Sequence, residues 1–264
     1  MPIEQRIEHR EGSFDIRRLG YSYLLPAALL LLCAIPFGPT GAAAPLIWLS
    51  LCAIEAHSGW KRALGYLISA LLMLVVALGI LPGGARIELL PPYSDAAGNT
   101  IYASFNPGKV VIAIAVVAFM VRQRCWLKRA DLPYILAAMA LPFLCGLAAI
   151  GLSPKFGVAI VVAAMVNLLV VCISEEGFFR WVLQRGTEEL LGRWRWIAIL
   201  LVTAIFTLLH IGWAASLLAL TLVGVAGFCY SLLWYLRRNF WACVLAHWGV
   251  NALHLFLLPY PLPG

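Results

Sequence analysis

Apolar runs near the length of a bilayer recur from one end of this 264-residue chain to the other, and nothing else limits its fold so severely. A hydrocarbon core needs about 20 residues of helix to cross it. The runs are Tyr21–Phe37, Ala42–Ala56, Ala63–Leu81, Gly108–Val121, Leu132–Leu152, Phe156–Leu183, Trp194–Trp213, Ala214–Leu236 and Phe240–Leu258. Composition agrees, at 63% hydrophobic and 12% charged residues with a mean hydropathy of +0.92. A soluble chain carries roughly twice that share of charge. The expected fold is an all-α, polytopic membrane helical bundle with eight or nine transmembrane helices. Two runs are marginal: Ala42–Ala56 is short and contains Glu55, and Gly108–Val121 is short unless it continues through Arg122. Either reads equally as a re-entrant or interfacial segment.

The net charge of +7 is distributed as a topology signal and not as a polyanion-binding patch, so no nucleic-acid partner is expected. Lys61 and Arg62, then Arg122, Arg124, Lys128 and Arg129, then Arg185, Arg193 and Arg195, then Arg237 and Arg238 all follow alternate runs. The intervening loops hold only Arg86, Lys109 and Lys155. The positive-inside rule gives a cytoplasmic N-terminus and a C-terminus on the far side. Residues 1–20 read as a nearly charge-balanced cytoplasmic tail, and 21–264 as one membrane domain. Tyr21–Phe37 followed by Gly41-Ala42-Ala43-Ala44 has the outline of a cleavable signal, but such signals have a shorter, plainly positive leader, and a retained span is expected. Residues 82–109, rich in Pro and Gly, read as an outside loop. The seven cysteines form no C-x-x-C pair, and all but Cys125 lie in apolar runs as small core residues.

A charged side chain at mid-bilayer costs a few kcal/mol, so it faces a cavity or a partner. The candidates are Glu55, Asn167, Glu175, Glu176, Arg180, His210, His247, Asn251 and His254, all but the first in the last hundred residues. Glu176 and Arg180 are i,i+4 and can pair on one helix face. Glu175 is turned about 100° from Glu176 and can face a cavity. His247 and Asn251 also project to one side. Measured from the nearest basic residue at about 1.5 Å per residue, Glu175 and His247 lie roughly 15 Å deep, and Asn251 and His210 roughly 20 Å deep. These depths are compatible with one site, expected in a cavity open to the cytoplasmic side. A buried carboxylate can hold and deprotonate water, and imidazole and carboxamide N–H groups can stabilise an oxyanion.

In order along the chain stand Glu175-Glu176 with Arg180, Phe206 with His210, and His247 with Asn251. This succession of E-E-x-x-x-R, F-x-x-x-H and H-x-x-x-N resembles the intramembrane glutamic endopeptidases of the CPBP (CAAX protease and bacteriocin-processing) family. Gly224, Gly227, Tyr230, Arg237 and Asn239 look like that family's linker into the last motif. The resemblance covers a protease-like core at 156–258. It implies that Glu175 activates the attacking water with help from His210, that Glu176 and Arg180 orient that base, and that His247 and Asn251 form the oxyanion hole. It also implies a membrane-associated protein or peptide substrate and, for the chain itself, the inner membrane of a prokaryote.

Other readings of the same residues stand beside this one. Glu176–Arg180 serves equally as an ion pair locking helices, and His210 or His247 with Asn251 as interhelical hydrogen-bonders. His254 and the tryptophans Trp194, Trp196, Trp213 and Trp241 suit the membrane interface, and Glu55 a snorkelling position at a span end. His210, His247 and a glutamate would supply three zinc ligands, but Asn251 replaces the second histidine of a helical pair and H-E-x-x-H is absent, so neither metal nor cofactor is expected. A non-catalytic scaffold or immunity-type protein keeping the same motifs is the rival from another class, and a transporter is a weaker one.

Overall fold

The computed structural model describes residues 20–94, 100–212 and 216–259. The expected cytoplasmic tail and the proposed anchor Trp213 therefore fall outside the described residues. Among the described residues ten helices carry the structure: α1 (Leu25–Leu31), α2 (Ala34–Ala42), α3 (Ala44–Ala56), α4 (Gly59–Ala77), α5 (Pro107–Gln123) and α6 (Leu132–Ile150). They continue with α7 (Val158–Trp194), α8 (Ile197–Leu209), α9 (Leu217–Arg237) and α10 (Phe240–Leu257). Between α4 and α5 lie four two-residue strands, with β1 (Ile87–Glu88) pairing antiparallel to β4 (Ser104–Phe105) and β2 (Tyr93–Ser94) to β3 (Thr100–Ile101).

Among the described residues, α4, the stretch Arg129–Ile150 that contains α6, α7, α9 and α10 are long and apolar enough to cross a membrane. They make five, or six if one bent pair near the N-terminus counts as a single span. Helices α3 and α8 are apolar but shorter. Large aliphatic side chains such as Leu29, Leu71, Leu144, Leu200 and Leu217 are exposed on the bundle surface, as a lipid-facing shell requires. The core behind them is closed by fully buried Trp48, Phe119, Tyr230, Trp234 and Phe240.

One expectation about the spans is corrected. Tyr21–Phe37 is not one straight crossing: α1 and α2 meet at a bend of 117°. A second break lies inside α2, where Gly38 has φ 53° and is followed by Pro39. The Thr40 hydroxyl then donates to the carbonyls of Leu81 (3.2 Å) and Pro82 (2.9 Å), tying this segment to the end of α4. Helix α7 contains almost the whole of the run Phe156–Leu183 and continues past Leu183 to Trp194, over 37 residues. At 1.5 Å per residue it is about 55 Å long, well over the hydrocarbon thickness, so its basic end leaves the bilayer.

The basic clusters meet at one end of the bundle. Arg185 forks onto Glu55 (2.5 and 3.2 Å), Arg62 reaches Glu189 (2.8 Å), Arg238 pairs with Glu188, and Arg237 holds Asp131 (2.8 Å). Glu55 therefore has an ion-pair partner 130 residues away in sequence and does not simply reach for water. Asn239 completes the seam, donating to Asp131 (2.6 Å) while its carbonyl oxygen caps α10 through the amides of Trp241 and Ala242. At the opposite end, the backbone amides of Ser153 and Lys155 donate to Leu257 and Phe256, and Asn106 caps α5 while donating to Ala77.

Candidate active site

Helix α7 departs from α geometry around the paired glutamates. Segments Asn167–Cys172 and Gly177–Gln184 are π-helical, and Ile173–Glu176 between them is α-helical. Inserted π turns inside α-helices are frequent at functional sites. In an α-helix four residues overshoot a full turn by about 40°, whereas the wider π turn makes four residues fall short of one. Alternating the two keeps every fourth residue on one face. Glu176, Arg180, Gln184 and Glu188 use that face as a buried ladder against α9.

Arg180 is the hub of the ladder and has no exposed surface. Its guanidinium donates to Glu176 Oε2 (3.0 Å), Gln184 Oε1 (3.0 Å), Ser231 Oγ (2.5 Å) and the Gly227 carbonyl (3.5 Å). Gln184 passes the chain on to Glu188 (3.1 Å) and the Ser231 carbonyl (2.9 Å). Gln184, Glu188 and Ser231 were not singled out from the sequence, although the i,i+4 series was there to be followed.

Glu176 has a second partner. Its Oε1 lies 2.7 Å from His247 Nδ1. A carboxylate already engaged by Arg180 can only accept, so Nδ1 carries the proton and Nε2 faces the other way. His210 is fixed similarly, its Nδ1 donating to the Phe206 carbonyl at 2.7 Å. His210 sits at the C-cap of α8 and not within the span. Both Nε2 atoms lie 3.9 Å from Glu175 Oε2. With Nδ1 committed, each neutral ring presents an acceptor at Nε2 and becomes a donor there only as an imidazolium.

Phe206 packs between these groups, with ring centroids 4.4 Å from His210, 6.0 Å from His247 and 4.9 Å from Phe179. A Cβ on Gly227 would come within 2.7 Å of Phe206 Cδ1, which explains the glycine. Tyr230 stacks on His247 at 4.7 Å. Asn251 donates to Asn167 Oδ1 (3.0 Å), which also accepts from the Cys172 thiol (3.1 Å), so Asn167 orients Asn251.

Glu175 is largely buried, and its Oε2 makes no hydrogen bond among the described residues. Its Oε1 receives the Lys109 ammonium at 2.6 Å. Lys109 was read from sequence only as a loop charge. It belongs to the first turn of α5, where Gly108 packs so closely that a Cβ would lie 2.0 Å from the Val76 carbonyl oxygen. Gly177 on α7 similarly admits Val116 of α5. These two close approaches bring the lysine to the glutamate.

Glu175, His210, His247, Asn251 and Lys109 line one cavity of about 500 Å³, whose wall is otherwise mainly apolar. Glu176 and Arg180 stand behind that wall. His254 also lines the cavity and bonds the Pro259 carbonyl, so it is nearer the site than an interfacial reading expects. No group of His, Cys, Asp and Glu among the described residues is arranged to hold a metal ion.

Relative to the basic clusters, the cavity opens at the other end of the bundle. The lining comes from the ends of α4, α6, α8 and α10 and the beginnings of α5, α7 and α9, with Arg86, Tyr102 and Ser104 of the connection before α5. Most of these lie in the half of the bundle remote from the basic clusters. The reason was already in the depths: groups some 15–20 Å from one face of a core about 30 Å thick sit at or beyond its middle.

The family described as Type II CAAX prenyl endopeptidase Rce1-like matches residues 156–253, a stretch that contains every one of the paired motif residues. This segment is similar to the CAAX protease family. It runs from the turn before α7 through most of α10, so the matched segment supplies Glu175, Glu176, Arg180, His210, His247 and Asn251, whereas Lys109 comes from outside it. No curated protein and no solved structure matches the chain.

Proposed function

We propose that this protein is an intramembrane glutamic-type endopeptidase that hydrolyses a peptide bond in a membrane-associated protein or peptide. The observation that carries the reading is the orphaned Oε2 of Glu175 facing two imidazole Nε2 atoms, each 3.9 Å away, inside a cavity. That gap is too wide for direct bonds and suits a water bridging the three groups. Glu175 takes a proton from this water as it attacks the scissile carbonyl, with His210 Nε2 accepting alongside, and returns that proton to the leaving nitrogen as the C–N bond breaks. Glu176 and Arg180 hold His247, and through it the site, in register. His247, as an imidazolium, and the Asn251 amide donate to the oxyanion. No covalent intermediate is needed.

Counting α3, α5 and α8 as crossings gives a chain that passes the bilayer eight or nine times. Its basic end and N-terminus lie in the cytoplasm, as in the inner membrane of a prokaryote. The test is purified protein in proteoliposomes, offered a membrane-peptide mixture and read by mass spectrometry. Glu175→Gln keeps the shape and the Lys109 contact but loses the base, and His210→Ala removes the assisting ring. Both are expected to abolish the cleavage made by the wild type while remaining folded, and wild-type turnover in either removes the assignment.

A further inference from the structure

Resting on the peptidase reading, we infer that the cavity takes its peptide from the non-cytoplasmic side of the membrane. The substrate class is then the exported end of a membrane-inserted or outer-leaflet peptide, and not a tail held on the cytoplasmic leaflet.

Two independent observations meet here. One is charge: Lys61, Arg62, Arg122, Arg124, Lys128, Arg129, Arg185, Arg193, Arg195, Arg237 and Arg238 occupy one set of helix ends, against Arg86, Lys109 and Lys155 at the other. That asymmetry marks the first set as cytoplasmic. The other is the shape of the bundle. Its basic end is sealed by Arg238–Glu188, Arg237–Asp131 and Arg185–Glu55, with Glu188 and Asp131 themselves buried. Beneath this seal the Arg180 ladder and buried Trp234 fill the path to Glu175. At the other end the cavity reaches the exposed side chains of Leu78, Arg86 and Tyr102.

The chemistry of that mouth fits a peptide arriving there. Leu74, Leu78, Phe143 and Ile150 offer apolar wall for side chains. The Arg86 guanidinium spends one donor on Ser104 Oγ (2.8 Å) and has no carboxylate partner among the described residues, which leaves it for a carboxylate or carbonyl of the peptide. A peptide entering past Arg86 meets Lys109 and then Glu175. A peptide on the cytoplasmic leaflet meets the ion-paired end.

The chain has four lysines, conveniently divided: Lys61 and Lys128 at the basic end, Lys109 and Lys155 at the cavity end. The experiment exposes spheroplasts carrying the wild-type protein to a membrane-impermeant amine-reactive ester and maps modification by mass spectrometry. The expected pattern is modification of Lys155, and more slowly Lys109, in intact spheroplasts. Lys61 and Lys128, although exposed, should react only after permeabilisation. Because Lys109 and Lys155 are partly covered, Tyr102→Cys treated with an impermeant maleimide gives a second reading from an exposed position. Reaction of Lys61 and Lys128 in intact spheroplasts, with residue 102 protected, overturns the inference. Neither readout needs turnover, so this failure would leave the peptidase reading standing. Conversely, an inactive protein labelled as expected would lose the peptidase reading and keep its orientation.

Discussion

Replacing Arg180 by Met deletes a buried charge while keeping much of the side-chain volume. In the native protein the guanidinium joins Glu176 and Gln184 on its own helix to Ser231 and Gly227 on α9, and neither Arg180 nor Glu176 is exposed. Removing one member of a buried ion pair costs about 3–5 kcal/mol, because the other charge stays uncompensated. The two interhelical bonds to α9 add about 1 kcal/mol together at about 0.6 each. His247 remains bonded to Glu176 and offsets part of the loss. The expected cost is therefore about 4 kcal/mol. The assay is reversible unfolding in mixed micelles, run with the double variant Glu176→Gln/Arg180→Met. If the unpaired carboxylate is the cause, the second substitution recovers more than half of the loss. A single variant within about 1 kcal/mol of wild type, or a double variant no better than the single, would refute this account of the ladder.

Lys109→Met should lower turnover at least about tenfold with little change in unfolding, since small misplacement of a reacting group is costly, and Lys109→Arg should recover part of it; a proteoliposome cleavage assay decides. Gly108→Ala should destabilise by about 1–3 kcal/mol through the clash with the Val76 carbonyl, measured by the same micelle unfolding. Tyr230→Phe should leave stability unchanged within about 1 kcal/mol or raise it, because the buried hydroxyl has no hydrogen-bond partner among the described residues to lose.

What the sequence made legible follows from range. Glu176 and Arg180 are four residues apart on one helix, so their pairing is a local consequence of helical geometry, and Gln184 and Glu188 extend the same rule. The meeting of Glu175, His210 and His247 was readable only as compatible depths, because three helices must pack before the rings converge. Lys109 shows the limit. Its side chain reaches Glu175 because Gly108 and Gly177 permit two close helix approaches, and nothing near position 109 encodes position 175. The break inside α2 was partly readable in Pro36, Gly38 and Pro39, but the run's uniform apolarity outweighed them. Glu55 looked like a lone acid at a span end for the same reason: Arg185, its partner, is brought there by the fold.

The most direct test of the central claim compares membrane peptides from cells carrying wild-type protein and Glu175→Ala at equal expression, searching for new C-termini. The account predicts a set of C-termini present with wild type and missing with the variant, clustered near the non-cytoplasmic ends of membrane segments. Identical peptides from both, with each protein rescuing a deletion phenotype, would contradict it and leave a non-catalytic membrane scaffold in its place.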